Sequence, residues 1–216
     1  MNTTKNNSYI PLNLLIVAFL FITFKCNSHK KAIISFNERF QALQNTYIKD
    51  KSLSVIRAEL DYNNGNWTLE GETTNSILFS KLISYTDSLL TKENYINKLM
   101  LLPDSTLGDS NFAIVNVSVT PLREKPRHSS QMVDQAILGN TIKLLRYSNG
   151  WYLAQTHYNY VGWINKTGLH VCDSTSKTNW ERQTNYTTKT LQSSLFSHPS
   201  ETSQPVSDMV LNNVFI

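Results

Sequence analysis

One segment of the chain occurs twice. Leu122, Pro126, Ser130, Gln131, Val133, Leu138 and Asn140 return as Leu195, Pro199, Ser203, Gln204, Val206, Leu211 and Asn213. Every pair is 73 positions apart, without a gap, from a strand end through a Pro-centred loop into the next strand. A fixed offset of this kind marks a tandem module, so the second copy must start along the same fold as the first. The last residue, Ile216, answers to Lys143. The first copy reads on to Cys172, so the second is expected to lack the counterpart of 144–172. The chain then reads as the front part of something longer, with the second copy poorly ordered or packed loosely on the first.

Composition bounds the fold class. The chain is 40% hydrophobic and 17% charged, enough apolar content for a packed core and too little charge for a disordered chain. The net charge of +4 is unevenly placed. Between Phe112 and Cys172, Arg123, Lys125, Arg127, Lys143, Arg146 and Lys166 face only Glu124 and Asp134, which accounts for all of it. This density reads as a solvated surface, and no Arg/Lys cluster of the nucleic-acid-binding kind is present.

The N-terminal stretch reads as an export segment, 1–26. Lys5 precedes an apolar run from Ile10 to Phe24, short for a membrane span and suited to the apolar region of a signal. A retained anchor helix is the other reading. Cys26, directly after the run, resembles the lipidation site of bacterial lipoproteins. Cys26 and Cys172 are the two cysteines, and no disulfide is expected.

Periodicity then divides the chain. Ile33, Phe36, Phe40, Leu43 and Tyr47 recur at three and four positions, predicting an amphipathic helix. Residues 52–62 alternate as a strand, Asn64-Gly65 signals a hairpin, and Trp67, Leu69 and Gly71 carry the return. Thr74 is expected to cap a second helix whose face holds Ile77, Leu78, Lys81, Leu82, Tyr85 and Leu89. A third strand runs from Tyr95 to Leu102, so 33–103 is predicted to be a small α+β domain. From Ala113 the signal changes to short, regularly spaced strands, indicating a small all-β barrel over 112–173. Residues 120–135 are expected to form a long loop. Residues 174–186 read as a polar linker, and 187–216 as the incomplete second copy with about two strands.

The runs Val117-Ser118-Val119, Leu122-Arg123-Glu124-Lys125-Pro126, Gly139, Gly150-Trp151-Tyr152 and Tyr160-Val161-Gly162-Trp163-Ile164 resemble a bacterial SH3-like (SH3b) domain. Residues 190–216 resemble the opening of another. Two such domains behind an export signal are similar to the N-terminal part of NlpC/P60-type cell-wall peptidases, cysteine hydrolases of the γ-D-glutamyl–diamino acid bond in peptidoglycan stem peptides. The α+β segment resembles the BON-like extra domain of Bacteroidetes-type members, chiefly at Leu101-Leu102-Pro103-Asp104 and Leu107-Gly108-Asp109. The resemblance implies an envelope protein, exported to the periplasm or membrane-anchored through its N-terminal segment. It implies a monomer that binds peptidoglycan or stem peptides and partners a peptidase domain, missing or separate. A stand-alone envelope adaptor is the alternative.

Catalytic residues are expected to be absent. The family reaction needs a thiolate, a neighbouring His and a polar residue to orient it, and nothing here matches that arrangement. His170 and Cys172 stand at i and i+2, but they end a strand and are too few for a metal site, so His170 reads as surface and Cys172 as packing. No metal or cofactor is expected. The candidate ligand-binding residues are Arg123, Arg127, Trp151, Tyr158, Tyr160 and Trp163: a basic loop suited to carboxylates and aromatic faces suited to stacking. For any one of these aromatics, barrel packing or docking to a neighbouring domain competes with ligand binding. Glu59, Asp61, Glu70 and Glu72 on the hairpin are read as solvent-facing.

Overall fold

The computed structural model describes residues 12–91 and 94–216, with side chains from Ser28 onward. Helix α1 spans Leu12–Tyr47, so the helix expected from Ile33 is the later part of a longer one. Cys26 and the export-segment reading of 1–26 fall outside the residues whose side chains are described. Among the described residues, no helix is long and apolar enough to cross a membrane.

The first unit follows the expected order. Strands β1 (Ile56–Asn63) and β2 (Asn66–Thr73) pair antiparallel around Asn64-Gly65. Both turn residues have positive φ, +49° and +84°, the backbone a two-residue type I′ hairpin requires. Helix α2 (Ser76–Leu89) crosses over to β3 (Tyr95–Leu101), which lies parallel to β2. The α2 cap is Asn75, whose Oδ1 accepts from Leu78 N at 2.9 Å, not Thr74. The Thr74 hydroxyl is already engaged, accepting from Val55 N at 3.2 Å. Phe36 and Leu43 of α1, Leu60, Trp67 and Leu69 of the hairpin, and Leu78 and Leu82 of α2 form one core. Ile77, expected on that face, is exposed.

Seven antiparallel strands make the second unit. They are β4 (Phe112–Val115), β5 (Val119–Arg123), β6 (Met132–Ile137), β7 (Thr141–Ser148), β8 (Trp151–Gln155), β9 (Val161–Asn165) and β10 (Leu169–Cys172). Their order is β10-β4-β7-β8-β9-β5-β6. Each strand sends a side chain into one cluster that includes Val115, Leu122, Ala136, Ile142, Ala154, Ile164 and Leu169. A flat sheet cannot bring seven strands to one cluster, so this one curls around it. The long loop is shorter than expected: Pro121 lies within β5, leaving residues 124–131 as the connection.

The polar stretch read as a linker contains helix α3, Ser174–Arg182, with Asp173 Oδ1 accepting from Ser176 N at 2.7 Å. Its polarity fits a helix lying on the surface, with none of its residues buried.

The second copy forms four strands rather than two: β11 (Tyr186–Thr187), β12 (Gln192–Phe196), β13 (Pro205–Val210) and β14 (Val214–Phe215). The 73-residue offset carries over to the backbone. The pairs Ala113↔Ile142 and Leu122↔Asp134 return as Tyr186↔Phe215 and Leu195↔Ser207. Each β5/β6-type ladder has its irregularity at the same place, Leu122/Arg123 and Leu195/Phe196. Ser130 Oγ accepts from Lys125 N, as Ser203 Oγ does from His198 N. Asn140 Oδ1 accepts from Ile137 N, as Asn213 Oδ1 does from Val210 N. Two of the repeated pairs, Ser130/Ser203 and Asn140/Asn213, therefore hold the loop and the turn in both copies.

The copies are also tied to each other, contrary to the loose packing expected. Ser118 Oγ donates to Asp208 at 2.7 Å, Asn213 Nδ2 donates to Ser118 O at 2.9 Å, and Val214 N donates to Leu138 O at 2.9 Å. Asn213 and Met209 are buried, while Leu191, Val206, Leu211 and Ile216 stay exposed. Gly139 sits at the centre of this junction with φ +82°; a Cβ there would lie 2.4 Å from Val214 O. Its own carbonyl accepts from the Trp180 indole of α3 at 2.9 Å.

Gly139→Ala should therefore push the second copy off the first, adding a left-handed-backbone cost of about 1 kcal/mol to the clash. Faster tryptic cleavage at Lys189, with the first copy still resistant, is the expected result. Unchanged cleavage would mean that the junction does not hold the second copy.

Candidate functional site

The two units meet along the outer face of β7, β8 and β9. Alternation along β8 turns Tyr152 and Ala154 toward the core of the seven-stranded sheet, and Trp151 and Leu153 outward. On β9, Ile164 points in and Trp163 out. Strand β7 departs from strict alternation. Its ladder with β8 shifts between Leu144 and Arg146, leaving Leu145 without a cross-strand partner. Such a bulge re-aims the side chains that follow it. Leu144 enters the core of the seven-stranded sheet, Leu145 packs into the seam between the units, and Arg146 also faces the first unit.

That seam has a small core of its own: Leu102, Leu145, Trp151, Leu153 and Trp163, with Val55 and Val161 at its margin. Asp104 N donates to Leu145 O at 2.8 Å, and Gln155 Nε2 donates to Leu53 O at 3.0 Å. Arg146 Nε lies 3.3 Å from Glu72 Oε2 of β2, with side-chain exposures of 26% and 10%. The Arg146 guanidinium also lies over the Trp163 ring, 5.2 Å from its centroid. Neither Arg146 Nε nor Glu72 Oε2 has a well-aligned hydrogen bond, although they form an ion pair. The contact is Coulombic and leaves directional capacity unused.

A cleft of about 380 Å³ opens beside this pair. Glu72, Arg146, Lys51 and Glu124 supply charge to its lining; Trp163 and Tyr160 supply aromatic surface. The volume lies within the usual range for small-ligand sites, roughly 300–1,000 Å³.

The sequence-predicted residues divide among different environments. Trp151 and Trp163 are buried, at 6% and 8% exposure, so the alternation that turned Trp151 outward aims it at the neighbouring unit rather than at solvent. His128 of the 124–131 loop meets Trp151 edge-on, with ring centroids 4.9 Å apart. Arg123 is held by its own loop, Nη1 donating to Ser130 O at 2.7 Å. Arg127 is exposed in the same loop. Tyr158 and Tyr160 are exposed neighbours, with ring centroids 5.8 Å apart, and Tyr160 reaches the cleft. Glu72, read as solvent-facing, is buried because the second unit covers it. Arg146 was visible in the sequence only as one charge among six. The signal that pairs it with Glu72 is the bulge, which no local pattern announces.

Cys172 is buried on β10, while His170 is exposed. Burial, reinforced by the Asp173 charge and opposed by Lys177, pushes the Cys172 thiol up. That is the opposite of what a thiolate nucleophile needs. Tyr158 donates to Gln135 O at 3.2 Å. Burial and then the Asp134 carboxylate push its phenol up to about 12.

Residues 118–170 match the family model of the bacterial SH3 domain, so the core of the seven-stranded unit is a bacterial SH3 domain. Among solved structures, the chain is similar to an NlpC/P60 endopeptidase from Photobacterium damselae subsp. piscicida. The identity is 14% and the TM-score 0.41, over 86% of this chain and 46% of that one. The chain thus spans less than half the length of that structure. No curated protein matches.

Two measurements test these environments, the first at the seam. Glu72→Leu and Arg146→Met should each cost about 3 kcal/mol in urea unfolding, because each leaves a charge without its partner. The double variant should cost less than the two losses together; strict additivity would show the pair to be uncoupled. The second is a titration of Tyr158. Folding favours its neutral phenol, a contribution that is whole below the unfolded value of about 10. This contribution is lost as pH rises through about 12. Asp134→Asn should move the phenolate absorbance transition to lower pH; an unmoved transition would leave burial as the whole cause.

Proposed function

We infer that this chain is a non-catalytic cell-envelope protein. In this reading it is the targeting and docking portion of a peptidase that cuts the γ-D-glutamyl–diamino acid bond of peptidoglycan stem peptides. The bacterial SH3 domain at 118–170 is the observation that carries the reading, since it makes wall binding the first expectation for the module. The raised Cys172 thiol makes that side chain a poor nucleophile. In the same reading the three-stranded unit is the BON-like domain, the seven-stranded sheet is a closed SH3-like barrel, and the chain acts outside the cytoplasm.

The surface this function would use is narrower than the six candidates. Trp151 and Trp163 serve the seam, and Arg123 braces its loop. Arg127, with Lys125 beside it, and Tyr158 and Tyr160 next to the cleft remain accessible to wall material. Cations on the exposed loop suit stem-peptide carboxylates, and the tyrosines suit stacking and hydrogen bonding.

Co-sedimentation of the full chain with purified, insoluble peptidoglycan tests this. The pair Lys125→Glu and Arg127→Glu should weaken binding roughly fivefold, as expected for two surface charge contacts of about 0.5 kcal/mol each. Arg123 is left alone, because reversing it would break the loop. Undiminished binding would sink the role of the loop, and absence of binding by the unaltered chain would sink the function.

A further inference from the structure

A groove separate from the seam lies between α3 and the strands β4 and β10, about 580 Å³ in volume. Ile114, Val115 and Leu138 give it an apolar floor. Asn116, His170, Ser176, Asn179, Trp180 and Gln183 form its rim. Three features bear on what it takes. No Asp, Glu, Lys or Arg lines it, in a module where the basic side chains outnumber the acidic ones. The side chains of Asn116, His170, Asn179 and Gln183 are exposed and, among the described residues, make no intramolecular hydrogen bond. Trp180 is fixed in place, because its indole N–H is spent on Gly139 O at 2.9 Å. Its ring therefore serves as a surface and not as a donor.

We propose that this groove binds a neutral oligosaccharide. Amide side chains both donate and accept, which matches the mixed character of sugar hydroxyls and acetamido groups. An immobilised indole offers a flat apolar face for the C–H side of a pyranose ring. A lining without Asp, Glu, Lys or Arg gives an anionic peptide or a cation little to pair with beyond His170, and the groove's volume falls in the usual range for small-ligand sites, roughly 300–1,000 Å³. The site needs both α3 and the first copy, which supplies its floor. It stands apart from the loop and cleft described above and survives if they bind nothing.

N,N′,N″-triacetylchitotriose is the probe, titrated calorimetrically into the full chain. Trp67, Trp151 and Trp163 are buried, so a binding signal in tryptophan fluorescence should come from Trp180. Binding is expected, with a shift in that fluorescence. Asn179→Ala with Gln183→Ala, both exposed and outside any packed core, should weaken it roughly tenfold, as loss of two uncharged hydrogen bonds implies. Trp180→Phe should remove the fluorescence response. The proposal is overturned if chitotriose does not bind. It is equally overturned if the amide double variant binds as well as the unaltered chain, or if Lys125→Glu with Arg127→Glu abolishes binding, which would assign the sugar to the loop.

Discussion

The register shift in β7 is the constraint on which the arrangement of the two units depends. Without it, Leu144, Leu145 and Arg146 would alternate in, out and in, sending a guanidinium toward the apolar core that holds Leu144 and Ala154. With it, Leu145 and Arg146 both serve the outer face. Burying an unpaired charge costs several kcal/mol, so Arg146 on that face needs the Glu72 carboxylate opposite it. Trp163 beneath the guanidinium and Trp151 beside Leu153 then complete the seam between the units. The two tryptophans pack between one unit and the next, and Trp163 also borders the cleft.

A second junction works through backbone rather than charge. The turn at Leu138-Gly139 accepts from Val214 N with one carbonyl and from the Trp180 indole with the next. It can do so because Gly139 has no Cβ to hold Val214 away. The same turn in the second copy, Leu211-Asn212, has Asn212 at φ +67° in the glycine position. Asparagine tolerates that backbone, so the turn is preserved while the close approach is not required.

Much of this was legible in the chain. The period of Ile33, Phe36, Phe40, Leu43 and Tyr47 gave the helix face that packs the first core, and Asn64-Gly65 gave the hairpin. Landmarks such as Gly150-Trp151 and Gly162-Trp163 located the bacterial SH3 domain. The site was less legible, because exposure depends on what covers a strand face. Trp151 points outward as alternation requires, yet a unit distant in sequence lies on it. Glu72 looks like one more carboxylate on a solvent-facing ribbon until Arg146 is brought across the seam. Helix α3 was missed because a short, polar helix without an apolar stripe lacks the periodic signal that reveals helices.

By itself the sequence determined that one module begins twice. It did so through the residues that brace a loop and a turn: Ser130 and Ser203, Asn140 and Asn213. Those side chains bond to backbone within five positions, so the local sequence is enough to specify them. Only the tertiary structure decided which aromatic residues remain free, which charges meet, and how the second copy is held against the first. These depend on contacts between segments up to about a hundred residues apart, such as Gln155 with Leu53 and Asn213 with Ser118. No local pattern encodes a partner at that distance.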